Sequence, residues 1–191
     1  MGQWAEWLFD YAVYGFGGWL LENSYSWVTK GVFWKEGFLY TPQKPMYGLA
    51  MTVLAAVWTA GEPLPLLIFF SAAVPTGIEF ASGFLLDKGF GRRYWDYRGM
   101  RGSVEGYVCL AYSLGWIPLA LGALYGLHPV MRAWYSTLTP GWETAAPWTA
   151  AGLALEFAVV CLKRWTRGTD SVEPSEALLG TDEALPEGNL G

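Results

Sequence analysis

The chain has 191 residues, of which 53% are hydrophobic, 17% are aromatic and only 15% are charged, and its formal net charge is −5. Soluble domains carry about 25% charged residues because most of their surface faces water. This composition excludes a nucleic-acid-binding protein, argues against a soluble enzyme, and predicts a surface that faces lipid. The two cysteines, Cys109 and Cys161, lie in apolar runs, so neither a disulfide framework nor a thiolate metal cluster is predicted.

Five segments are apolar enough and long enough to be membrane-spanning helices, since a bilayer core requires about 20 such residues. In chain order they cover residues 4–28, 45–61, 63–86, 106–127 and 145–162. No basic leader or small-residue cleavage site precedes the first segment, so we interpret it as a retained helix. The sequence therefore predicts an all-α fold, a polytopic transmembrane bundle of five helices within residues 1–167.

The distribution of basic residues predicts the orientation of this bundle. Eleven of the twelve Lys and Arg residues follow the first, third or fifth helix, and only Arg132 falls on the other side. Cytoplasmic loops of membrane proteins are enriched in Lys and Arg. We therefore predict a multi-pass protein of the cell (cytoplasmic) membrane, with its N-terminus outside and its C-terminus inside.

The end of the chain differs from the rest. From Asp170 onward it contains six acidic residues and no basic residue. Such a segment has too little apolar surface to pack. Residues 168–191 are therefore predicted to be an acidic, disordered cytoplasmic tail.

Residues 22–48 and 79–106 share spaced landmarks. A glutamate, a Lys-Gly pair and a tyrosine in the first segment recur 57 or 58 positions later in the second. Each segment would contain the end of one helix, a basic aromatic loop and the start of the next helix. The pattern favours a parallel internal repeat, of a kind that occurs in transporters.

Three of the predicted helices carry a glutamate seven to nine residues before the lysine at their basic end: Glu22, Glu79 and Glu156. A charge near the centre of a membrane helix costs at least about 2.5–3.5 kcal/mol. We therefore expect all three to face the interior of the bundle, at a common depth. They share their helix faces with small and polar residues, which allow membrane helices to approach: Gly15, Gly18, Tyr25, Ser71, Ser82, Gly83, Thr149 and Gly152.

Two interpretations of these carboxylates remain open. In the first, Glu22, Glu79, Glu156, Ser82 and Tyr25 form a substrate or ion pathway. In the second, the carboxylates only hold the helices in register, as partners of loop side chains.

Pro75 lies on the same helix face as Glu79, one turn earlier. Its ring nitrogen has no proton to donate to the carbonyl of Ser71. We therefore predict a kink of the third helix at Pro75, which would free a carbonyl oxygen beside the carboxylate.

The sequence offers little that is typical of an enzyme. The single histidine, His128, lies beyond the fourth helix, on the opposite side from the three glutamates. Neither a zinc-binding motif nor a Ser–His pair can therefore form beside them. We predict no catalytic residue, no metal, no cofactor and no enzymatic activity.

The loops that follow the first and third helices carry distinctive motifs. The first reads Gly-Phe-Leu-Tyr-Thr-Pro-Gln-Lys-Pro-Met-Tyr-Gly over residues 37–48, and the second contains Trp-Asp-Tyr at residues 95–97. With Gly-Trp-Leu-Leu-Glu at residues 18–22 and the acidic third helix, they make the chain resemble the type-IV ABC-transporter permease family of the CmpB type. The resemblance spans roughly residues 10–130 and implies a membrane component of a transport system.

The resemblance also implies partners. The sequence contains no phosphate-binding P-loop, so ATP would act only through a separate ATPase subunit. That subunit would contact the two loops, through Tyr40, Pro42, Pro45, Tyr47, Arg92, Arg93, Trp95, Asp96 and Tyr97. The basic loop residues also suit contact with membrane lipid. Because five helices enclose little volume, a homo-oligomer is predicted.

The first interpretation is thus a permease-like component whose site is built around the buried carboxylates. The alternative is a non-transporting membrane scaffold or assembly factor in which the same carboxylates are structural.

Overall fold

The computed structural model describes residues 2–34, 37–59 and 63–166. They form five α-helices: α1 (Gln3–Lys30), α2 (Pro45–Thr59), α3 (Leu64–Phe90), α4 (Leu110–Gly122) and α5 (His128–Thr166). A short π-helix, Ala123–Leu127, joins α4 to α5 without a break. The described ranges contain no β-strand beyond one isolated bridge, which confirms the predicted all-α class. The predicted tail at residues 168–191 lies outside them.

Two described helical segments are long and apolar enough to cross a membrane: Leu64–Phe90 and the continuous run Leu110–Trp165. Only 22% and 11% of their most apolar windows are buried inside the protein. Helices with such outward-facing apolar surfaces are typical of a membrane environment. The helix from Pro45 to Trp58 is also apolar but shorter. Five crossings, and their orientation, remain predictions.

The main difference from the expected helices lies at residues 128–144, between the predicted fourth and fifth helices. In the structure this segment is helical and forms the first part of α5. Composition does not mark this segment as membrane-spanning, because it includes Arg132, Glu143 and several other polar residues. The predicted fourth and fifth helices are therefore parts of one unbroken helical run.

The contacts of α5 indicate that this run changes direction. It begins beside the middle of α1, where Nδ1 of His128 lies 3.0 Å from the hydroxyl oxygen of Tyr14. Trp142 donates its indole N–H to the carbonyl of Ala5, near the start of α1, at 2.7 Å. Further along, Glu156 returns to the loop before α2, where it binds Tyr40. Pro140 lies two residues before Trp142, and Pro147 lies between Trp142 and Glu156. Each proline removes one backbone hydrogen bond of the helix. The bend in α5 is therefore attributed to its prolines.

Helices α1 and α2 approach closely because glycines remove side chains where they meet. A Cβ atom on Gly18 would lie 2.5 Å from the Cβ atom of Tyr47. A Cβ atom on Gly48 would lie 2.7 Å from the carbonyl oxygen of Tyr11. The small-residue face predicted for the first helix is thus packed. On α5, in contrast, Gly152 has no neighbouring atom within 4 Å of the corresponding position.

The loop before α2 folds back along α1. The backbone N–H of Lys44 donates to the carbonyl of Gly15 at 3.0 Å, and the side chain of Gln43 donates to the carbonyl of Ala12 at 3.1 Å. Helix α1 continues beyond Gly15 to Lys30, which is about 20 Å further at 1.5 Å per residue. α2 therefore begins beside the middle of α1.

The second loop, residues 91–109, packs on the C-terminal half of α3. The indole N–H of Trp95 donates to the carbonyl of Tyr107 at 2.8 Å, and the backbone N–H of Tyr97 donates to Gly106 at 2.9 Å. Gly83 leaves room for this loop, because a Cβ atom there would lie 3.0 Å from the Tyr107 ring. A long helix, an irregular loop and a returning helix thus occur twice in the chain. Whether they are a duplicated unit remains a prediction.

Candidate functional site: a buried carboxylate cluster

Glu79 is the most enclosed of the three predicted glutamates, with 4% of its surface exposed. The hydroxyl of Tyr97 donates to one carboxylate oxygen at 3.0 Å, and the indole N–H of Trp116 donates to the other at 3.3 Å. Tyr97 belongs to the second loop and Trp116 to α4, so three separate elements meet here. Both donors are uncharged and do not neutralise a charge on Glu79.

Glu22 lies close enough to Glu79 for the two side chains to interact electrostatically. The ammonium of Lys44 binds Glu22 at 2.8 Å, and both side chains are largely buried. Tyr47 also hydrogen-bonds to Glu22, and its ring packs on Trp116 with centroids 5.0 Å apart. Tyr47 thus bridges the two glutamates.

We refer to these six side chains as the carboxylate cluster: Glu22, Lys44, Tyr47, Glu79, Tyr97 and Trp116. Two of them are acidic and one is basic, so the cluster contains one carboxylate more than it has cations. A buried carboxylate without a matching cation favours the binding of a proton or a cation. Lys44 and Trp116 were missed by sequence reasoning, because their roles depend on how the loop and α4 return to α1 and α3.

Glu156 lies against the first loop. One of its oxygens accepts the backbone N–H groups of Tyr40 at 2.8 Å and Thr41 at 2.7 Å, and the other accepts the Thr41 hydroxyl at 2.7 Å. The ammonium of Lys163 lies 5.5 Å from the centre of the Tyr40 ring. Glu22 and Glu79 therefore lie together in the structure. Glu156 lies apart from them in its contacts, and it attaches the first loop to α5.

The replacement Glu156→Gln is expected to loosen this attachment. A glutamine oxygen can still accept a hydrogen bond, but its amide nitrogen cannot accept one from Thr41. We expect amide hydrogen exchange at Tyr40 and Thr41 to become several-fold faster, as measured by mass spectrometry. Glu105→Gln, in the other loop, is the matched control. Unchanged exchange in the Glu156 variant would show that its carboxylate does not hold the loop.

The remaining predicted pathway residues are less enclosed. Tyr25 is 45% exposed and Ser82 is half-buried. Pro75 is buried within α3, and the helix continues through it to Phe90. The hydroxyl of Ser71 is buried without a hydrogen-bond partner in the described part of the chain. A pathway through these residues, and a kink at Pro75, remain predictions.

The predicted partner contacts of the first loop fall into two groups. Tyr40 and Pro42 are exposed on the surface. Pro45, in contrast, is the first residue of α2, and Tyr47 is drawn into the carboxylate cluster. Only the first group presents an exposed side chain to another molecule.

In the second loop most of the predicted contact residues also have intramolecular partners. Arg93 donates to Asp87 at 2.9 Å and to the carbonyl of Glu105 at 3.0 Å. Asp96 is held by Arg98, and this hydrogen bond lowers the pKa of the Asp96 carboxyl below its usual range. Arg92 and Trp95 are half-buried, and the indole of Trp95 is hydrogen-bonded within the loop. Tyr97 is buried against Glu79.

Arg164 of α5 ties the loops together. Its guanidinium donates to the carbonyl of Phe38 at 2.9 Å and lies 5.2 Å from the centre of the Phe38 ring. It also lies 5.8 Å from the centre of the Tyr94 ring. Both loops and the end of α5, which carry the basic residues, therefore lie together. We call this region the basic end.

A second charged group, which sequence reasoning missed, lies near the start of α1. Arg132 of α5 binds both Glu6 and Asp10. Asp10 is 12 residues before Glu22 on α1, or about 18 Å along the helix. The only sequence signal was the presence of two acidic residues near the start of the first apolar segment and of a lone arginine beyond the fourth. We call this group the Arg132 triad.

The fold and the site together define a helical membrane protein, with outward-facing apolar helices around buried acidic side chains. Its family follows from a direct comparison: the family described as "Putative ABC-transporter type IV" matches residues 9–160. The chain belongs to this family, as its loop motifs predicted, and the family name points to a transporter component. Neither the curated proteins nor the solved structures gave a match to this chain.

Proposed function

We propose that this protein is a permease-like component of a transport system and that its carboxylate cluster binds the transported solute, ion or a coupling proton. The observation that carries the proposal is the enclosed carboxylate of Glu79, whose two hydrogen-bond donors are both uncharged. The only ammonium of the cluster is already paired with Glu22. A positively charged species is therefore the ligand that this cluster favours.

In the proposed topology the chain crosses the membrane five times, with its N-terminus outside and the basic end in the cytoplasm. The grouping of both loops around Arg164 supports this orientation, since it collects the basic residues at one end. The bend in α5 supports the fifth crossing. Tyr25, Ser82 and Glu156 would extend the pathway from the cluster toward the basic end.

The proposed partners are lipid, a separate ATPase subunit and a second copy of this chain. Tyr40 and Pro42 are exposed beside the Glu156 contact, and they are the loop residues best placed to meet an ATPase. An ATPase docked there would act on the loop that carries Lys44. Movement of this loop would then change the pairing of Glu22.

The alternative function is a non-transporting scaffold or assembly factor. It is favoured by one specific observation: each of the three glutamates already has hydrogen-bond partners from at least one other element. Such satisfied contacts suit a structural role. In this case the carboxylates would fix the positions of the loops and helices.

Ion or proton flux into proteoliposomes tests the proposal. The wild-type protein is expected to give flux above that of protein-free liposomes, and Glu79→Gln is expected to abolish it while the protein remains inserted. Glu105→Gln, an exposed loop carboxylate, is expected to retain full flux. Full flux in the Glu79 variant would overturn the proposed site. Absence of flux in the wild-type protein, together with lower thermal stability of the Glu79 variant, would favour the scaffold.

A further inference from the structure

The Arg132 triad consists of three side chains joined by ion pairs, and most of it is enclosed by the protein. The two terminal nitrogens of Arg132 bind Glu6 and Asp10, and Asp10 is only 3% exposed. The side chain of Glu6 is 39% exposed, so the triad reaches the surface on that side. The remaining guanidinium nitrogen, Nε of Arg132, is buried and has no partner among the residues that the structure describes.

His128 lies one helical turn before Arg132 on α5 and is 3% exposed. Its Nδ1 atom is 3.0 Å from the hydroxyl oxygen of Tyr14, and the two rings stack at 10°. Its other nitrogen, Nε2, is buried without a partner in the described ranges. When the imidazole is neutral and the Tyr14 hydroxyl donates to Nδ1, the ring proton lies on Nε2. His128 is thus a nearly fully buried titratable group with one unused nitrogen.

The charges around His128 are unbalanced. From α1 it contacts Tyr14, and from α5 it interacts with Arg132. Tyr14 in turn interacts with Asp10 of the triad. Tyr135 packs on Arg132, and the remaining charged group nearby on α5 is Glu143, which interacts with Tyr135. The triad itself contains two acids and one base. One proton on His128 would therefore balance it.

We propose that His128, together with Tyr14, Asp10 and Arg132, forms a proton-binding site on the half of α1 that lies farther from the basic end. The proton would come from the aqueous phase, through the exposed side of Glu6. Its arrival puts N–H groups on both imidazole nitrogens, so that Nδ1 now donates to Tyr14. The Tyr14 hydroxyl proton then turns toward Asp10, which lies one turn earlier on α1. Release of the proton reverses these steps, and no other atom is gained or lost.

This site shares no residue with the carboxylate cluster, and it does not depend on the proposed transport function. A scaffold protein could carry it equally well. A transporter could use it to sense or accept protons at the far side of the membrane, because histidine is the side chain that changes charge near neutral pH.

His128 is the only histidine in the chain, which makes a direct measurement available. The full-length protein, labelled with ¹⁵N-histidine and held in nanodiscs, gives imidazole signals from this site alone. We expect one reversible protonation step between about pH 4 and pH 9. Glu6→Gln and Asp10→Asn should each lower the proton affinity, by about tenfold in the Asp10 variant, which corresponds to one pH unit in the midpoint. Arg132→Gln should raise it.

Two further variants complete the test. Tyr14→Phe removes the hydroxyl that selects the tautomer, so the neutral imidazole should exchange between its two tautomers, with its single ring proton on either nitrogen. Asp96→Asn, in the second loop, should leave the titration unchanged. Because Glu6 is half-exposed, its variant tests the charge dependence even if Asp10→Asn fails to fold. The proposal is overturned if His128 does not titrate in this range, or if its midpoint is the same in the Glu6, Arg132 and wild-type proteins.

Discussion

The replacement Gly18→Ala is expected to separate α1 from α2 and to destabilise the protein. The new Cβ atom would lie 2.5 Å from the Cβ atom of Tyr47, and a Cβ atom cannot rotate away as the end of a long side chain can. Overpacking of this kind costs about 1–3 kcal/mol. Tyr47 also contacts Glu22 and Trp116, so its displacement would disturb the carboxylate cluster as well.

The neighbouring glycine provides the control for this prediction. A Cβ atom on Gly17 would meet nothing within 4 Å, and alanine favours a helix over glycine by about 1 kcal/mol. Gly17→Ala should therefore match or exceed the wild-type melting temperature in detergent, while Gly18→Ala falls several degrees below it. Equal melting temperatures for the two variants would show that the close contact between α1 and α2 is absent.

The second large effect is expected from Lys44→Gln. This change leaves the largely buried carboxylate of Glu22 without its cation. Removing one partner of a fully buried ion pair lowers the free energy of unfolding by about 3–5 kcal/mol. Because this pair is not completely buried, we expect a decrease near the lower value, about 3 kcal/mol. The free energy of unfolding in a denaturing detergent measures this loss.

The double variant Glu22→Gln/Lys44→Gln separates this charge effect from a general loss of packing. Without either charge, the two amides can still hydrogen-bond, and most of the lost stability should return. A double variant that is as unstable as Lys44→Gln, or less stable, would mean that the ion pair does not account for the effect. Glu22→Gln alone should cost less stability than Lys44→Gln, because the long side chain of Lys44 can extend its ammonium toward water.

The helical class and the approximate helix positions could be predicted because they depend on local composition. Helix α3 begins at Leu64 and helix α2 at Pro45, both within one residue of the predicted starts. The small-residue face around Gly18 was also predictable, since it depends only on helical spacing. The first part of α5 was not predictable in the same way, because polar residues interrupt its apolar character.

Loop side chains were one predicted class of partner for the glutamates, but the particular residues could not be predicted, because they are distant in sequence. Lys44 meets Glu22 only because the first loop doubles back along α1 to Gly15. Trp116 meets Glu79 only because α4 returns beside α3. Neither return path leaves a periodic signal in the sequence.

Composition and local motifs are enough to show that this protein is helical, that its surface is too apolar to face water, and that it belongs to a transporter family. Hydropathy and motif spacing are local properties, and they carry this information directly. The tertiary structure alone decided which charges are paired: Glu22 with Lys44, Arg132 with Asp10, and Glu156 with the first loop. Burial makes an unpaired charge costly, so the pairing follows the three-dimensional path of the loops and the bend of α5 rather than distance along the chain.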